Sequence, residues 1–547
     1  MKRHIEIYDT TLRDGSQAEG VNFSQEDKLR LTQALDELQV DYIEGGWPGS
    51  NPKDAEYFAH MRDKKLRHAT LVAFGSTRRA ANPAHRDSNL AGIAAAGVKA
   101  ACLVGKAWDL HVRDALRVSL EENLDMIESS ISWLKKRLDL VFFDAEHFFD
   151  GFQANPAYAL QTLLAAKAGG ADRLILCDTN GGQLPDAIRK GVARAAESLP
   201  GTGLGIHCHN DTGLAVANSL AAIDSGAVML HGCLNGFGER TGNADLCTLI
   251  PVLELKLGLD TIGRKNLGKL TPVSRFTYEL ANLPRRDAQP FVGASAFAHK
   301  GGLHVSGISR NPHTYESVAP EIVGNTRRIL ISELAGTSSI LARYPELKAQ
   351  PGKMQTALAQ VRRLEKEGYA FENADASLDL LIRRLLGTYQ PSFELLGFRA
   401  ASEEKAGSHC VSEASVKVRI GDLILHTVSE AEHGPVSALD LALRKALSHV
   451  YPQVEAVRLT DYRVHIVNAM AAANANVRVV IQSRDGDASW GTLGVSENIL
   501  LASCQALVDS LQYALLRRRK KGGLSKEMEG EKGEKTRAPS RGKASKA

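Results

Sequence analysis

No apolar run in this sequence reads as long enough to cross a bilayer, and no signal-like core precedes the first structured stretch, because "MKRHIEIYDTTLRDG" enters a strand-like alternation at once. Both absences point away from membranes and secretion and toward a cytoplasmic protein. Paired cysteines are missing as well. The seven cysteines (Cys102, Cys177, Cys208, Cys233, Cys247, Cys410, Cys504) are scattered, odd in number and never in a CxxC spacing, which excludes a disulfide framework and a zinc ribbon and reads as reduced thiols. Charge of one sign is scarce: a net +4 is small for 547 residues, and much of the basic excess sits in the last segment, so no nucleic-acid footprint is implied. A Gly-rich dinucleotide fingerprint is absent after the first strand, where the chain instead carries the charged loop "TTLRDGSQAEG". Aromatics make up only 6% of residues, yet 44% are hydrophobic, which is ample for a core. Length alone suggests about two to four domains.

What is present is an alternation. From the start to about Leu259, short β-rich runs ("HIEIYD", "DYIEGGW", "ATLVAFG", "AACLVG", "LVFFDAEH", "RLILCDTN", "GLGIHCHN", "VMLHGCLN") alternate with stretches of helical period. In "FSQEDKLRLTQALDEL", Ser24 is an N-cap with Asp27 three residues on, and Leu31, Ala34, Leu35 and Leu38 share one face. Eight βα units in a row predict an α/β fold, a TIM (β/α)8 barrel over 1–275, rather than an open doubly wound sheet. Pro and Gly clusters and helical stretches over 276–387 predict a linker of small helical subdomains. Over 388–518 the texture is β-rich again and internally repeated, predicting an α+β domain of two βββα units. The Lys, Glu, Gly and Ser of 519–547 lack periodic apolar residues and predict a disordered tail.

The stretch "GIHCHNDTGLA" places His207 and His209 two residues apart, so that in a strand both imidazoles project together while Cys208 faces away. Taken alone, such a pair is more often strand-end histidines making ordinary hydrogen bonds than half of a metal site. A barrel changes the weighing, because active-site groups lie at the C-terminal ends of its strands. Those ends carry Arg13 and Asp14, Glu44, the group Asp144, Glu146 and His147, then Asp178, Thr179 and Asn180, and after strand eight Glu239, Arg240 and Asn243. Closure brings strands one, seven and eight side by side, so Asp14, His207 and His209 can converge on one cation, with Asn243 near enough to add an oxygen. Two imidazoles and a carboxylate leave about three positions open on an octahedral ion, which suits a 2-oxo acid chelating through its keto and carboxylate oxygens. Such an ion polarises the carbonyl, and Arg13 could balance the charge developing there. The mixed donors suit Mg²⁺, Mn²⁺ or Zn²⁺. A plain salt bridge between Arg13 and Asp14 is the competing reading.

The segments "DTTLRDGSQAEGVNFS", "DYIEGGWPGSNPKD", "FDAEHFFDGF", "CDTNGG", "HCHNDTGLAVANSL" and "GFGERTGNADL" resemble the DRE-TIM metallolyase superfamily, within its group of 2-isopropylmalate, homocitrate and citramalate synthases. "EGGWPGSNPKD" and the domain order are most similar to the bacterial (R)-citramalate synthases, and the likeness runs from about Ile5 to Leu516. The resemblance implies a condensation of acetyl-CoA with pyruvate and water to citramalate and CoA, the first step of the pyruvate route to isoleucine. It implies a metal set of Asp14, His207, His209 and Asn243, a carbonyl-polarising and substrate-binding Arg13, a substrate-carboxylate Thr179 and an active-site Glu146. In "HKGGLH" it puts His304 where the family has a histidine tied to deprotonation of acetyl-CoA, and in "HTYESVAP" it puts Tyr315 with the same machinery. It further implies a LeuA-type regulatory domain with isoleucine as effector, a homodimer, and exchange of His304 between subunits.

Departures from neighbouring branches narrow the reading. Lyases of the superfamily carry a catalytic cysteine in the loop after strand eight; here that loop reads "GERTGNAD", and Cys247 lies farther on, on the following helix. Biotin-dependent carboxyltransferases need a modified lysine at an inner strand end, and the nearest candidates, Lys53 and Lys106, are expected in the loops after strands two and four. Two alternatives stay open: a synthase using 2-oxoisovalerate or 2-oxoglutarate, and a catalytically silent amino-acid sensor that keeps the barrel as scaffold.

Overall fold

The computed structural model describes residues 2–331, 337–403, 410–467, 475–486 and 488–534, of which 338 and 519–534 are described by their backbone alone. The chain divides into two compact units, 1–298 with 316–328, and 299–315 with 329–547.

In the first unit eight strands close into a barrel in chain order: β1 (Glu6–Asp9), β2 (Tyr42–Gly46), β3 (Thr70–Ser76), β4 (Ala100–Lys106), β5 (Leu140–Glu146), β6 (Arg173–Asp178), β7 (Gly203–Cys208) and β8 (Met229–Gly232). Every pairing is parallel, and β8 closes on β1 with Glu6 opposite Met229 and Asp9 opposite Gly232. The expected TIM barrel is thus the observed fold. Alternation sorts the strand residues. Tyr8, Val72, Phe74, Cys102, Phe142, Ile175 and Cys177 fill the barrel interior, while Ile7, Ile43, Ala101, Leu103 and Leu176 face outward into the core beneath the helices. The Gln25–Leu38 helix begins with the expected capping box: the Ser24 hydroxyl accepts the Asp27 N–H, and Asp27 accepts that of Ser24. Its Leu31, Leu35 and Leu38 are buried against the barrel.

The helix Leu270–Leu280 runs across position 275, where the sequence reading ends the barrel. Leu270, Val273 and Tyr278 join the barrel's outer core, and Ser274 donates to Asn235 in the loop after β8. A short ladder of β9 (Ala298–His299) and β10 (Arg328–Ile329) follows, with helices Gly302–Arg310, Thr337–Arg343, Pro351–Lys366 and Asp375–Leu386.

The rest of the second unit repeats one motif. Strands β11 (Glu394–Glu403), β12 (Val411–Ile420) and β13 (Leu423–Ala431) precede the helix Pro435–Ser448. Strands β14 (Arg458–Ile466), β15 (Val477–Asp485) and β16 (Ala488–Ser496) precede the helix Ile499–Glu534. Each triplet is an antiparallel sheet with its middle strand central, and both helices bury apolar faces in one shared core containing Val416, Leu443, Val479 and Leu507. These are the two βββα units expected.

Two expectations need correction. The helix Ile499–Arg518 is long and apolar enough to span a bilayer by length and composition, against the expectation that no run is. It is apolar because Ala502, Cys504, Ala506, Leu507 and Leu511 are buried in the domain core. The same helix continues to Glu534, inside the segment expected to be disordered, and extending an existing helix avoids the cost of nucleation. Residues 535–547 of that tail lie outside the described residues.

Candidate active site and metal centre

The loop after β1 is a tight, internally bonded turn. Asp9, fully buried, accepts hydrogen bonds from the Thr11 backbone N–H at 2.9 Å and hydroxyl at 2.8 Å. The Thr11 hydroxyl in turn accepts the Leu234 N–H at 2.9 Å, and the Thr10 hydroxyl donates to the Gly232 carbonyl at 3.2 Å. The two threonines of "DTTLRDG" therefore stitch the β1 loop to the β8 loop, which lifts Arg13 and Asp14 over the barrel end.

There the expected triad converges. Asp14, His207 and His209 are all buried, and one ligand atom from each lies within 4.8 Å of the others. Asp14 Oδ2 is 3.4 Å from His207 Nε2 and 3.9 Å from His209 Nε2, and the two Nε2 atoms are 3.2 Å apart. Cys208 points into the outer core, as the two-residue period requires. Donors bound at about 2.1 Å and at right angles on one ion lie about 3.0 Å apart, so the two shorter edges have nearly the size that a shared divalent cation needs. Two further buried oxygens lack hydrogen-bond partners, Asp14 Oδ1 and Asn243 Oδ1. Asn243 forms an isolated bridge with His209, and its amide is fixed because Nδ2 donates to the Phe237 carbonyl at 3.1 Å. Gly238 permits this: its φ is +150°, and a Cβ there would sit 2.1 Å from Asn243 Nδ2. Three clustered donors and two unpartnered oxygens fit a divalent metal.

The electrostatics agree. Burial opposes ionisation of Asp14, but Arg13 and His207 outweigh it and hold the carboxyl well below the usual range. Two adjacent buried imidazoles cannot both be charged. Burial and the neighbouring His207 push His209 down to about 3, whereas Asp14, against burial, holds His207 up. A cation in place of that single proton leaves both rings neutral, which is the form that ligates metals.

Arg13 is clamped rather than free. Its Nε donates to Glu44 Oε2 at 2.6 Å, its Nη1 to Asp14 Oδ2 at 3.2 Å, and its guanidinium lies 3.9 Å above the Phe74 ring. Burial disfavours its charge, but Glu44 and Asp14 prevail and raise its pKa further. A salt bridge and a role beside the metal are thus compatible, since the ion pair is what aims the guanidinium. Glu44 also accepts the Tyr8 hydroxyl at 2.8 Å, and the Tyr8 ring stacks on His231 at 3.8 Å inside the barrel.

Thr179, just after β6, accepts the His147 N–H on its hydroxyl oxygen at 2.9 Å and keeps its own proton to donate. Its carbonyl accepts from Arg240, which also holds Asp211 through two bonds, so one guanidinium ties together the loops after β6, β7 and β8. Glu146 ends β5 and forms an ion pair with Lys106. That pairing corrects the placement of Lys106: it is the last residue of β4, not part of the following loop. Cys247 lies on the helix Leu246–Pro251, as expected, with its thiol buried against Asn235. His304 and Tyr315 lie in the second unit, where their rings stack at 4.2 Å with both side chains exposed. Sequence reasoning missed Tyr8 and His231, which belong to the barrel interior; their inward parity in "HIEIYD" and "VMLHGCLN" was the available signal.

The chain is similar to known proteins along nearly its whole length. The HMGL-like family matches residues 4–276, the homocitrate synthase post-HMGL domain-like family 291–368, and the LeuA allosteric (dimerisation) domain 372–515. A protein of Geobacter sulfurreducens named (R)-citramalate synthase is 48% identical over 533 residues, covering 96% of this chain and 99% of its own. Its namesake in Aquifex aeolicus is 47% identical over 529 residues, covering 96% and 100%, and that in Synechocystis sp. 48% over 531 residues, covering 94% and 96%.

Proposed function

We propose that this chain, which belongs to the family of (R)-citramalate synthases, condenses acetyl-CoA with pyruvate and water to give citramalate and CoA. It is an acyltransferase in which the acetyl methyl carbon bonds to the keto carbon of pyruvate. The methyl group gives up a proton, the keto oxygen becomes a hydroxyl, and water then cleaves the thioester to release the CoA thiol. The observation that carries this reading is likeness at 47–48% identity along nearly the whole chain, with the metal-type triad at the barrel mouth.

Asp14, His207 and His209, with Asn243 as an oxygen donor, would hold a divalent cation, Mg²⁺, Mn²⁺ or Zn²⁺, whose Lewis acidity polarises the keto group. Arg13, fixed by Glu44, faces the oxygen on which negative charge develops. The Thr179 hydroxyl donates to the substrate carboxylate. Glu146, at the end of β5, is the active-site carboxylate of the mouth. His304, stacked on Tyr315, takes the methyl proton, a task that demands a positioned base because a thioester methyl is a very weak acid. Residues 1–275 form the catalytic domain, 276–387 the linker and 388–518 a regulatory and dimerisation domain. In that reading isoleucine is the feedback effector, the enzyme is a cytoplasmic homodimer, and His304 serves the partner's barrel. The match to the LeuA allosteric (dimerisation) domain supports the regulatory part.

The test is thiol release from acetyl-CoA with pyruvate, 2-oxoisovalerate and 2-oxoglutarate in turn. Turnover with pyruvate at least tenfold above the others is expected, roughly what a pocket differing by a few methylenes delivers. Equal or faster turnover with a larger acid would make the enzyme a 2-isopropylmalate or homocitrate synthase. Isoleucine binding without any thiol release would make it a sensor.

A further inference from the structure

Lys106 has no part in the mechanism above, yet the fold builds it into the mouth. It and Glu146 are the last residues of β4 and β5 and are partners in register, on the inward face that carries Cys102 and Phe142. Their ion pair is neither buried nor in bulk water, with side-chain exposures of 25% and 24%. The Lys106 carbonyl accepts from Asn123, a fully buried amide that also donates to the Tyr158 hydroxyl, so the backbone under the lysine is anchored. Arg13 cannot take its place, because its guanidinium is already committed to Glu44 and Asp14. The charged or titratable groups around this pair include His111, His147 and Asp150, with Asp144 and Cys177 deeper on the inward face. The two imidazoles are 4.3 Å apart, and His147 Nδ1 lies 3.1 Å from Asp150.

We propose that Lys106 is a positioning residue of the condensation, holding Glu146 at the mouth and cancelling its negative charge against that of the incoming 2-oxo acid. The proposal rests on the citramalate synthase reading. A carboxylate at the mouth without its ammonium would repel an anionic substrate. The consequence should appear in the KM for pyruvate, since acetyl-CoA carries no charge near its reacting carbon.

The experiment compares the wild-type enzyme with Lys106→Met, Lys106→Arg and the double variant Lys106→Met/Glu146→Gln, each checked for an unchanged melting transition. If the wild type releases no thiol with pyruvate, the functional reading itself fails before any variant is compared. Given an active wild type, Lys106→Met should raise the KM for pyruvate at least tenfold and leave that for acetyl-CoA within threefold. Lys106→Arg should restore most of the loss. The double variant, with both charges gone, should return the KM for pyruvate to within threefold of wild type while kcat stays low for want of the carboxylate. A KM in Lys106→Met within twofold of wild type, an equal rise for both substrates, or a double variant no better than Lys106→Met would overturn the proposal.

Discussion

Glu44 is the residue whose alteration tests the electrostatic account of the site most directly. It is fully buried, and each carboxylate oxygen accepts one bond, from the Tyr8 hydroxyl at 2.8 Å and from Arg13 Nε at 2.6 Å. In Glu44→Gln the new carbonyl can turn to Arg13 and the amide to the Tyr8 oxygen, so hydrogen bonding survives and charge is what is lost. At 2.6 Å, an effective dielectric of about 20 gives an attraction of roughly 6 kcal/mol, and the carboxylate's own desolvation, now avoided, returns part of it. A net loss of about 3 kcal/mol is expected, which for a unit of this size lowers the melting temperature by about 5 °C. The second effect falls on the metal. With Glu44 neutral, the guanidinium leans on Asp14 Oδ2 alone, the same oxygen that faces His207 Nε2. Mn²⁺ affinity, read by paramagnetic resonance titration, should fall about 10- to 100-fold, the usual cost of losing a residue that orients a metal ligand. Tyr8→Phe is the control, costing about 1 kcal/mol and leaving Mn²⁺ affinity intact. A Glu44→Gln protein that melts within 2 °C of wild type and binds Mn²⁺ as tightly would refute the reasoning.

Other changes probe other links. Asp14→Ala and His207→Ala should each lose Mn²⁺ binding and at least about 100-fold in condensation rate, with dialysis against a chelator doing the same to the wild type; a folded variant that still binds the ion would remove the triad from the metal site. The Asp9 carboxyl is pushed up to about 7 by burial, against the pull of its Thr11 hydrogen bonds. Its folded value exceeds an unfolded value of about 3.9, so the stability it contributes is complete below about pH 4 and is lost as pH rises through about 7. Asp9→Asn keeps the acceptor for Thr11, so its melting temperature relative to wild type should climb from pH 5 to pH 8; a difference constant across that range would contradict the assignment. Gly238→Ala must displace the Asn243 side chain, because the new Cβ would lie 2.1 Å from Nδ2. Weaker metal binding is expected, together with a melting temperature lowered by a few degrees because Ala is strained at this backbone angle, and unaltered Mn²⁺ affinity would argue that Asn243 Oδ1 is no ligand.

Most of the fold was legible because the barrel is written in local signals. Each strand announces itself as a short β-rich run, and every one of the eight runs falls on an observed strand. The capping box at Ser24 and the repeated βββα order of the C-terminal half were equally local. What failed was local too, but ambiguous. A helix over Ile499–Arg518 has the composition of a membrane span and of a core helix alike, and only its packing against β15 and β16 in the domain core tells them apart. The charged continuation to Glu534 lacks apolar periodicity, yet it needs no burial of its own to continue a helix already begun.

The site divides along a different line. The pairing of His207 with His209 depends on parity within one strand, which a single stretch of sequence reveals. Asp14 could be added because closure of an eight-stranded barrel forces β1 against β8, a topological fact that needs no knowledge of register. The Lys106–Glu146 pair depends on register between β4 and β5, and register between parallel strands is set by packing around the whole barrel, not by either sequence. A shift of one residue would turn Lys106 toward the helices and leave Glu146 facing the mouth without its ammonium. The features that sequence missed at this mouth are therefore those whose chemistry lies in the relation of one strand to the next, and their test is substitution at both members of the pair rather than at one.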